Sequence, residues 1–108
     1  MSYNVQVTAF FERELKALAK KHRSLKNDLA VLIEQLELEP TTGTDLGNSC
    51  YKIRLAITSK GKGKSGGARV ITHVKISGST VYLLSIYDKS ELANISDNTI
   101  KERLKGLE

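Results

Sequence analysis

Three basic side chains set the chemistry this sequence can support. Lys52 and Arg54 flank Ile53, and Arg69 follows a glycine-rich stretch, Lys60-Gly61-Lys62-Gly63-Lys64-Ser65-Gly66-Gly67. A guanidinium is a planar fork of donors that grips a phosphate in two places, whereas an ammonium is a compact point charge. From Leu46 to Tyr87 the chain holds Lys52, Arg54, Lys60, Lys62, Lys64, Arg69 and Lys75 and no acid, so the whole excess of +5 resides in this block. Displacement of condensed counterions makes such a block a good ligand for a polyphosphate. The plainer alternative is a solubilising surface. The missing acids and the glycine-rich setting favour a polyanionic partner.

Other reactive residues are few. His73 is of the type that exchanges protons near neutral pH. It lies on the Arg69 side of its segment but four residues along, about 13 Å in a straight strand. That is far for sharing one phosphate, so His73 is grouped with the binding residues. His22 belongs to a helix end. Cys50 is the only cysteine, and with two distant histidines it makes no zinc site; no metal or cofactor is expected. The phosphate-loop spacing G-x-x-x-x-G-K-[ST] is absent, because Gly67 is followed by Ala68 and Arg69.

These residues must be positioned by a small scaffold. With 108 residues, the chain fits a single domain over 1–108 with one core. One cysteine suits a reducing compartment. The start, Met1-Ser2-Tyr3-Asn4, lacks the pattern of a signal peptide, and no apolar run reaches membrane-spanning length. A cytoplasmic protein without membrane partners is expected. Val5–Thr8 alternates as a strand. Phe11, Leu15, Leu18 and His22 share one helix face. Ser24 is placed to cap a second helix, whose stripe is Leu25, Leu29, Leu32, Ile33 and Leu36. Pro40 bounds it, and Thr41–Asn48 has the composition of a loop. Tyr51–Ile57, Ala68–Ser77 and Thr80–Tyr87 alternate as strands, the last two joined by a turn at Gly78-Ser79, and Lys60–Gly67 is irregular. Ser96 caps a final helix with Ile95 and Ile100 as its hydrophobic staple. The order β-α-α-β-β-β-α predicts an α+β fold: a mostly antiparallel sheet with a helical hairpin on one face and Lys52, Arg54 and Arg69 displayed on the other.

This order, with Lys52-Ile53-Arg54, Lys60–Ile71 and Tyr82–Glu91, resembles the RelE/ParE superfamily of type II toxins, and its RelE/HigB-type branch in particular. The most specific part is Gly63-Lys64-Ser65-Gly66-Gly67-Ala68-Arg69-Val70-Ile71. The resemblance implies a ribosome-dependent endoribonuclease (an mRNA interferase). Such a toxin enters the A site of the 70S ribosome, contacts rRNA, cuts mRNA there and inhibits translation. A cognate antitoxin neutralises it. It also implies that Arg69 is catalytic and that Tyr87 lies where relatives carry a functional aromatic.

Cleaving RNA without a metal requires three things: a base for the 2′-OH, positive charge around the phosphorane, and an acid for the leaving 5′-oxygen. Arg69 and Arg54 supply the charge, and Lys52, crowded by guanidinium groups, is a candidate base. Tyr87 would stack on a base or donate a proton, although simple alternation puts it on the face of Val81 and Leu83, away from Arg69. Lys60, Lys62, Lys64 and Lys89 are read as RNA contacts. Two rival readings share these features: a ParE-like inhibitor of DNA gyrase with no nuclease activity, and a non-enzymatic RNA-binding module.

Overall fold

The computed structural model describes residues 2–107. Strand β1 (Asn4–Val7) leads into helix α1 (Ala9–Lys21), then α2 (Leu25–Leu38), β2 (Thr44–Gly47), β3 (Cys50–Leu55), β4 (Ala68–Lys75), β5 (Thr80–Asp88) and α3 (Asp97–Lys105). The five strands form one sheet in the order β1-β5-β4-β3-β2. Only the β1–β5 pair is parallel, so the expected α+β class with a mostly antiparallel sheet is what the chain forms. No helix among the described residues is long and apolar enough to cross a membrane.

The helical hairpin covers one face. Phe11 and Leu18 of α1 and Leu25, Leu29, Leu32 and Leu36 of α2 pack on Ile53, Val70, Val74, Val81, Leu83 and Ile86. Thr8 both ends β1 and starts α1. Its hydroxyl donates to the Leu83 carbonyl at 2.7 Å and accepts from the Phe11 N–H at 3.4 Å. Ser24 stands at the N-cap of α2 but makes no cap bond there. Its hydroxyl donates to Asp28 instead, at 2.8 Å. Asp28 also accepts from the N–H and hydroxyl of Thr58. Burial favours the neutral carboxyl of Asp28, but the bonds from Thr58 and Ser24 outweigh it and lower the pKa.

Three features differ from the sequence-based expectation. Thr41–Asn48 is not all loop, because Thr44–Gly47 is an edge strand joined to β3 through Asn48 and Ser49. Both have positive φ, 54° and 59°, as a two-residue type I′ turn requires. Second, the face opposite the hairpin is not simply displayed. Helix α3 lies on it, joining Ile95 and Ile100 to Cys50, Ile71, Leu84 and Tyr87 in a second core. Ser96 caps this helix as expected, accepting from the Thr99 N–H at 3.1 Å. Third, the residue-to-residue alternation of β5 breaks. Ile71 pairs with Ser85 while Thr72 pairs with Leu83, leaving Leu84 as an extra residue. This β-bulge shifts the side-chain period. Val81, Leu83 and Ile86 join the hairpin core, whereas Leu84 and Tyr87 belong to the second core.

The bulge lies where β1, paired only to Thr80–Leu83, no longer covers β5. Side chains take over its polar groups. Glu14 accepts from the Ser85 hydroxyl at 3.1 Å and the Ile86 N–H at 3.4 Å. Arg103 donates to the Leu84 carbonyl at 2.8 Å and binds Glu14 through both terminal nitrogens at 2.6 and 3.2 Å. Helices α1 and α3 are thereby tied to the same point of β5.

Gly67 closes the glycine-rich loop against β3. A Cβ there would overlap the Leu55 carbonyl oxygen and come within 3.0 Å of the Ala56 Cα. Backbone cannot step aside as a flexible side chain can. Gly67→Ala is therefore expected to destabilise the fold by about 2 kcal/mol in denaturant or thermal unfolding, and an unchanged midpoint would contradict this packing.

Candidate active site

Strand register assembles the site. Arg54 of β3 stands opposite Arg69 of β4, and Arg69 stands opposite Tyr87 of β5. Directly paired residues share a face, so the three side chains form one row across the sheet. The bulge is what admits Tyr87. Without it, the tyrosine would turn into the hairpin core, as simple alternation suggests.

Depth separates the members of the row. Arg54 is exposed, but Arg69 is only 5% accessible. The expectation of a displayed Arg69 is corrected accordingly: the side chain is enclosed, and the loop before it closes on its guanidinium through the Lys64 carbonyl. One terminal nitrogen of Arg69 donates to the carbonyls of Lys64 and Ala68, at 2.9 and 3.0 Å. Among the described residues no carboxylate lies within ion-pair distance of it. A buried cation without a counterion is costly, and an incoming anion removes that cost.

Tyr87 is also buried, and its hydroxyl has no well-formed hydrogen bond, only a weak approach from the Ile95 backbone N–H. This hydroxyl and that of Thr72 are the buried side-chain polar atoms without partners among the described residues. Burial pushes the Tyr87 pKa up, against smaller opposing effects of the Ile95 backbone and the Arg69 charge. At neutral pH Tyr87 is therefore an un-ionised hydroxyl, suited to donating a proton or a hydrogen bond.

Lys52 pairs with Ile71, one step of the same face away from the Arg54–Arg69 pair. Its ammonium donates to Asn94 at 3.0 Å, so the segment before α3 reaches over the row. Lys52, Arg54 and Lys64 also line an open groove of about 640 Å³ along the outer edge of β3. Lys62, Lys64 and Lys89 are exposed, and the backbone N–H of Lys89 donates to Gly67 at 3.1 Å.

Lys60 is placed differently from the other loop lysines. It turns inward and donates to both carboxylate oxygens of Asp88, at 3.0 and 3.1 Å. His22, at the C-terminus of α1, approaches the same carboxylate at 3.1 Å. Burial raises the pKa of Asp88, but hydrogen bonds from the Ser90 hydroxyl and N–H and from Lys60, with the lysine's charge, more than offset this and hold it well below the ordinary carboxylate range. Asp88 thus fixes the start of the loop beside Tyr87. His73 lies two pairs from Arg69, opposite Cys50 and Tyr82, and does not join the row. Burial and the charge of Asp45 push the Cys50 thiol up to about 11. No group of three or more His, Cys, Asp or Glu among the described residues could hold a metal ion.

Sequence reasoning missed Asp88, Asn94 and Glu14 as organising residues. Asp88 had a signal: it is the first acid after the acid-free block and directly follows Tyr87. Asn94 and Glu14 act through contacts made only in three dimensions.

The family model described as RelE toxin of the RelE/RelB toxin-antitoxin system matches residues 7–106. Among solved structures, the chain is similar to a double-arginine mutant of the E. coli toxin RelE in the free state, with a TM-score of 0.66, 18% identity and 100% of both chains covered. It is also similar to the toxin-antitoxin complex RelBE2 of Mycobacterium tuberculosis, with a TM-score of 0.59, 18% identity, and 82% of this chain and 92% of that chain covered. The intact E. coli RelBE toxin-antitoxin complex gives a TM-score of 0.51 and 21% identity, with 81% of this chain and 96% of that chain covered. At these identities the structures share the fold.

Folding holds the Asp88 carboxyl below its ordinary pKa, so its contribution to stability is complete above about pH 4, where the unfolded chain is ionised too. That contribution is lost as pH falls through the folded value. Asp88→Asn is expected to lower stability by about 3 kcal/mol at neutral pH, because it leaves Lys60 without its buried partner. The gap to the wild type should shrink steadily below pH 4 in denaturant melts. A gap independent of pH would contradict the ion pair.

Proposed function

The chain belongs to the RelE family of toxins of toxin-antitoxin systems, and from that premise we propose that it is a ribosome-dependent endoribonuclease cutting mRNA in the ribosomal A site. The observation that carries this reading is the Arg69 guanidinium, buried without a carboxylate and in line with Arg54 and the unpartnered Tyr87 hydroxyl. Family membership supports a toxin, and this row supports phosphoryl chemistry.

In this reading the scissile phosphate docks between Arg54 and Arg69. Attack by the 2′-OH builds negative charge on the phosphorane, and the two guanidinium groups meet that charge already positioned. Lys52, once its ammonium has released a proton to solvent, takes the 2′-OH proton as the free amine. Tyr87 gives its proton to the departing 5′-oxygen, which a neutral hydroxyl with a raised pKa can do and a tyrosinate cannot. The ribosome holds the nucleotides in line, lowering the demand on each acid–base group. Lys62, Lys64 and Lys89 contact RNA backbone from the exposed loops, while Lys60 anchors the loop on Asp88. Entry of the phosphate requires the Lys89–Ile95 segment to move off the row. A cognate antitoxin, acidic or partly disordered, neutralises the basic groove by charge complementarity. Solved toxin-antitoxin complexes that share this fold support such a partner.

Primer extension on a defined mRNA with purified protein tests this reading. Cuts within codons are expected only when 70S ribosomes are present. No cuts in either case, with inhibition of gyrase supercoiling instead, would replace it by a ParE-like action.

Tyr87→Phe gives a sharper test of the chemistry. The hydroxyl makes no well-formed hydrogen bond in the fold, so the variant should be about as stable as the wild type. It should nevertheless cut about 100-fold more slowly. Equal rates would remove Tyr87 from the acid role.

A further inference from the structure

Beyond the Arg54–Arg69–Tyr87 row, the same face of the sheet carries a second row that the cleavage chemistry does not use. Cys50, His73 and Tyr82 stand opposite one another on β3, β4 and β5. The rings of His73 and Tyr82 are stacked, with centroids 6.5 Å apart and planes 24° from parallel. Cys50 Sγ lies 3.6 Å from His73 Nδ1 and fixes the orientation of the imidazole. Both rings are half-buried, and Lys75 beside them is exposed.

His73, Tyr82 and Lys75 border a pocket of about 590 Å³, which the turn residues Asn48 and Ser49 and the side chains of Leu104 and Leu107 also line. Its size falls in the range that holds a small ligand. Three kinds of polar or aromatic group converge there: two aromatic rings, an ammonium, and two exposed polar residues. Flat rings stack on unpaired bases whatever their sequence, short polar side chains meet base edges, and a lysine takes the adjoining phosphate. An acidic peptide would need positive charge along its length, and Lys75 is the only cation lining this pocket among the described residues.

We propose that this pocket is a subsite for an unpaired RNA nucleobase, stacked on Tyr82 and His73 with its phosphate on Lys75. The proposal rests on reading the protein as one that acts on RNA. It assigns to His73 a positioning role remote from the scissile phosphate, about 13 Å from Arg69 along β4. It also gives Tyr82 a use beyond filling the second core.

The test is fluorescence anisotropy of the full chain, without ribosomes, against a short labelled single-stranded RNA and the same oligomer carrying abasic sugars. The wild type should bind the RNA with bases about tenfold more tightly than the abasic form. Tyr82→Ala and His73→Ala should each abolish most of that preference, whereas Tyr82→Phe, which keeps the ring, should retain it. Lys75→Ala should weaken both oligomers alike. Thermal melts control for folding. Should Tyr82→Ala unfold the second core, His73→Ala decides, because that side chain is half-exposed. Unchanged preference in His73→Ala and in any folded Tyr82→Ala would overturn the proposal, and so would a defect confined to binding an acidic protein partner. Ribosome-dependent cuts with unchanged binding by these variants would remove the subsite and leave the nuclease. A preference lost in the variants without any ribosome-dependent cuts would remove the nuclease and leave the nucleobase subsite.

Discussion

A sheet strand can present a residue to one face or the other, and a single added residue exchanges every side chain beyond it. In β5 that added residue is Leu84. Up to the bulge, Val81 and Leu83 fill the core beneath the helical hairpin. Beyond it, Ile86 does so and Tyr87 turns to the side of Arg69. The bulge persists because its polar groups are answered: Glu14 from α1 binds Ser85 and Ile86, and Arg103 from α3 binds Leu84 and Glu14. Two helices on opposite faces of the sheet are thus joined through a carboxylate and a guanidinium at the place where the site tyrosine is aimed. The Arg103 guanidinium also lies 5.3 Å from the centre of the Phe10 ring, a cation–π contact that further fixes it.

The second determinant is charge left uncompensated. Three basic residues have acidic partners among the described residues: Lys21 meets Glu91, Lys60 meets Asp88 and Arg103 meets Glu14. Arg69 is the most enclosed cation of the row, and backbone carbonyls alone hold it. Carbonyl dipoles orient the fork without neutralising it. The glycine-rich loop therefore does more than carry exposed lysines. Through the Lys64 carbonyl it positions Arg69, and through Lys60 and Asp88 it is fastened beside Tyr87. In the proposed function, folding energy spent on enclosing that charge is returned when a phosphate binds, and a small protein would thereby prepare a site for a dianionic transition state.

Much of this was legible in the residues. Periodicity located the three helices and the β3–β5 strands, the acid-free block marked the basic surface, and Ser96 with Ile95 and Ile100 announced α3. What escaped depended on long-range geometry. Thr44–Gly47 has no alternation to betray a strand; it pairs because Asn48 and Ser49 make a tight turn back onto β3. Element order does not say on which face a terminal helix settles, although Ile71 among polar neighbours on the supposed open face was a clue to α3. Charge counting placed Arg69 in the right block but was blind to its depth. No local pattern reveals a bulge in an apolar run such as Val81–Tyr87, so the face of Tyr87 was open until pairing fixed it.

The central claim is that the enclosed guanidinium of Arg69 receives the scissile phosphate. It is tested most directly by the single-turnover rate of mRNA cleavage on 70S ribosomes for Arg69→Gln, which keeps polar bonding to the loop carbonyls but removes the charge. The expected rate is at least about 100-fold below that of the wild type, with no loss of thermal stability because the variant relieves an uncompensated buried charge. A variant that cuts at the wild-type rate, or one that slows only because it unfolds, would contradict it.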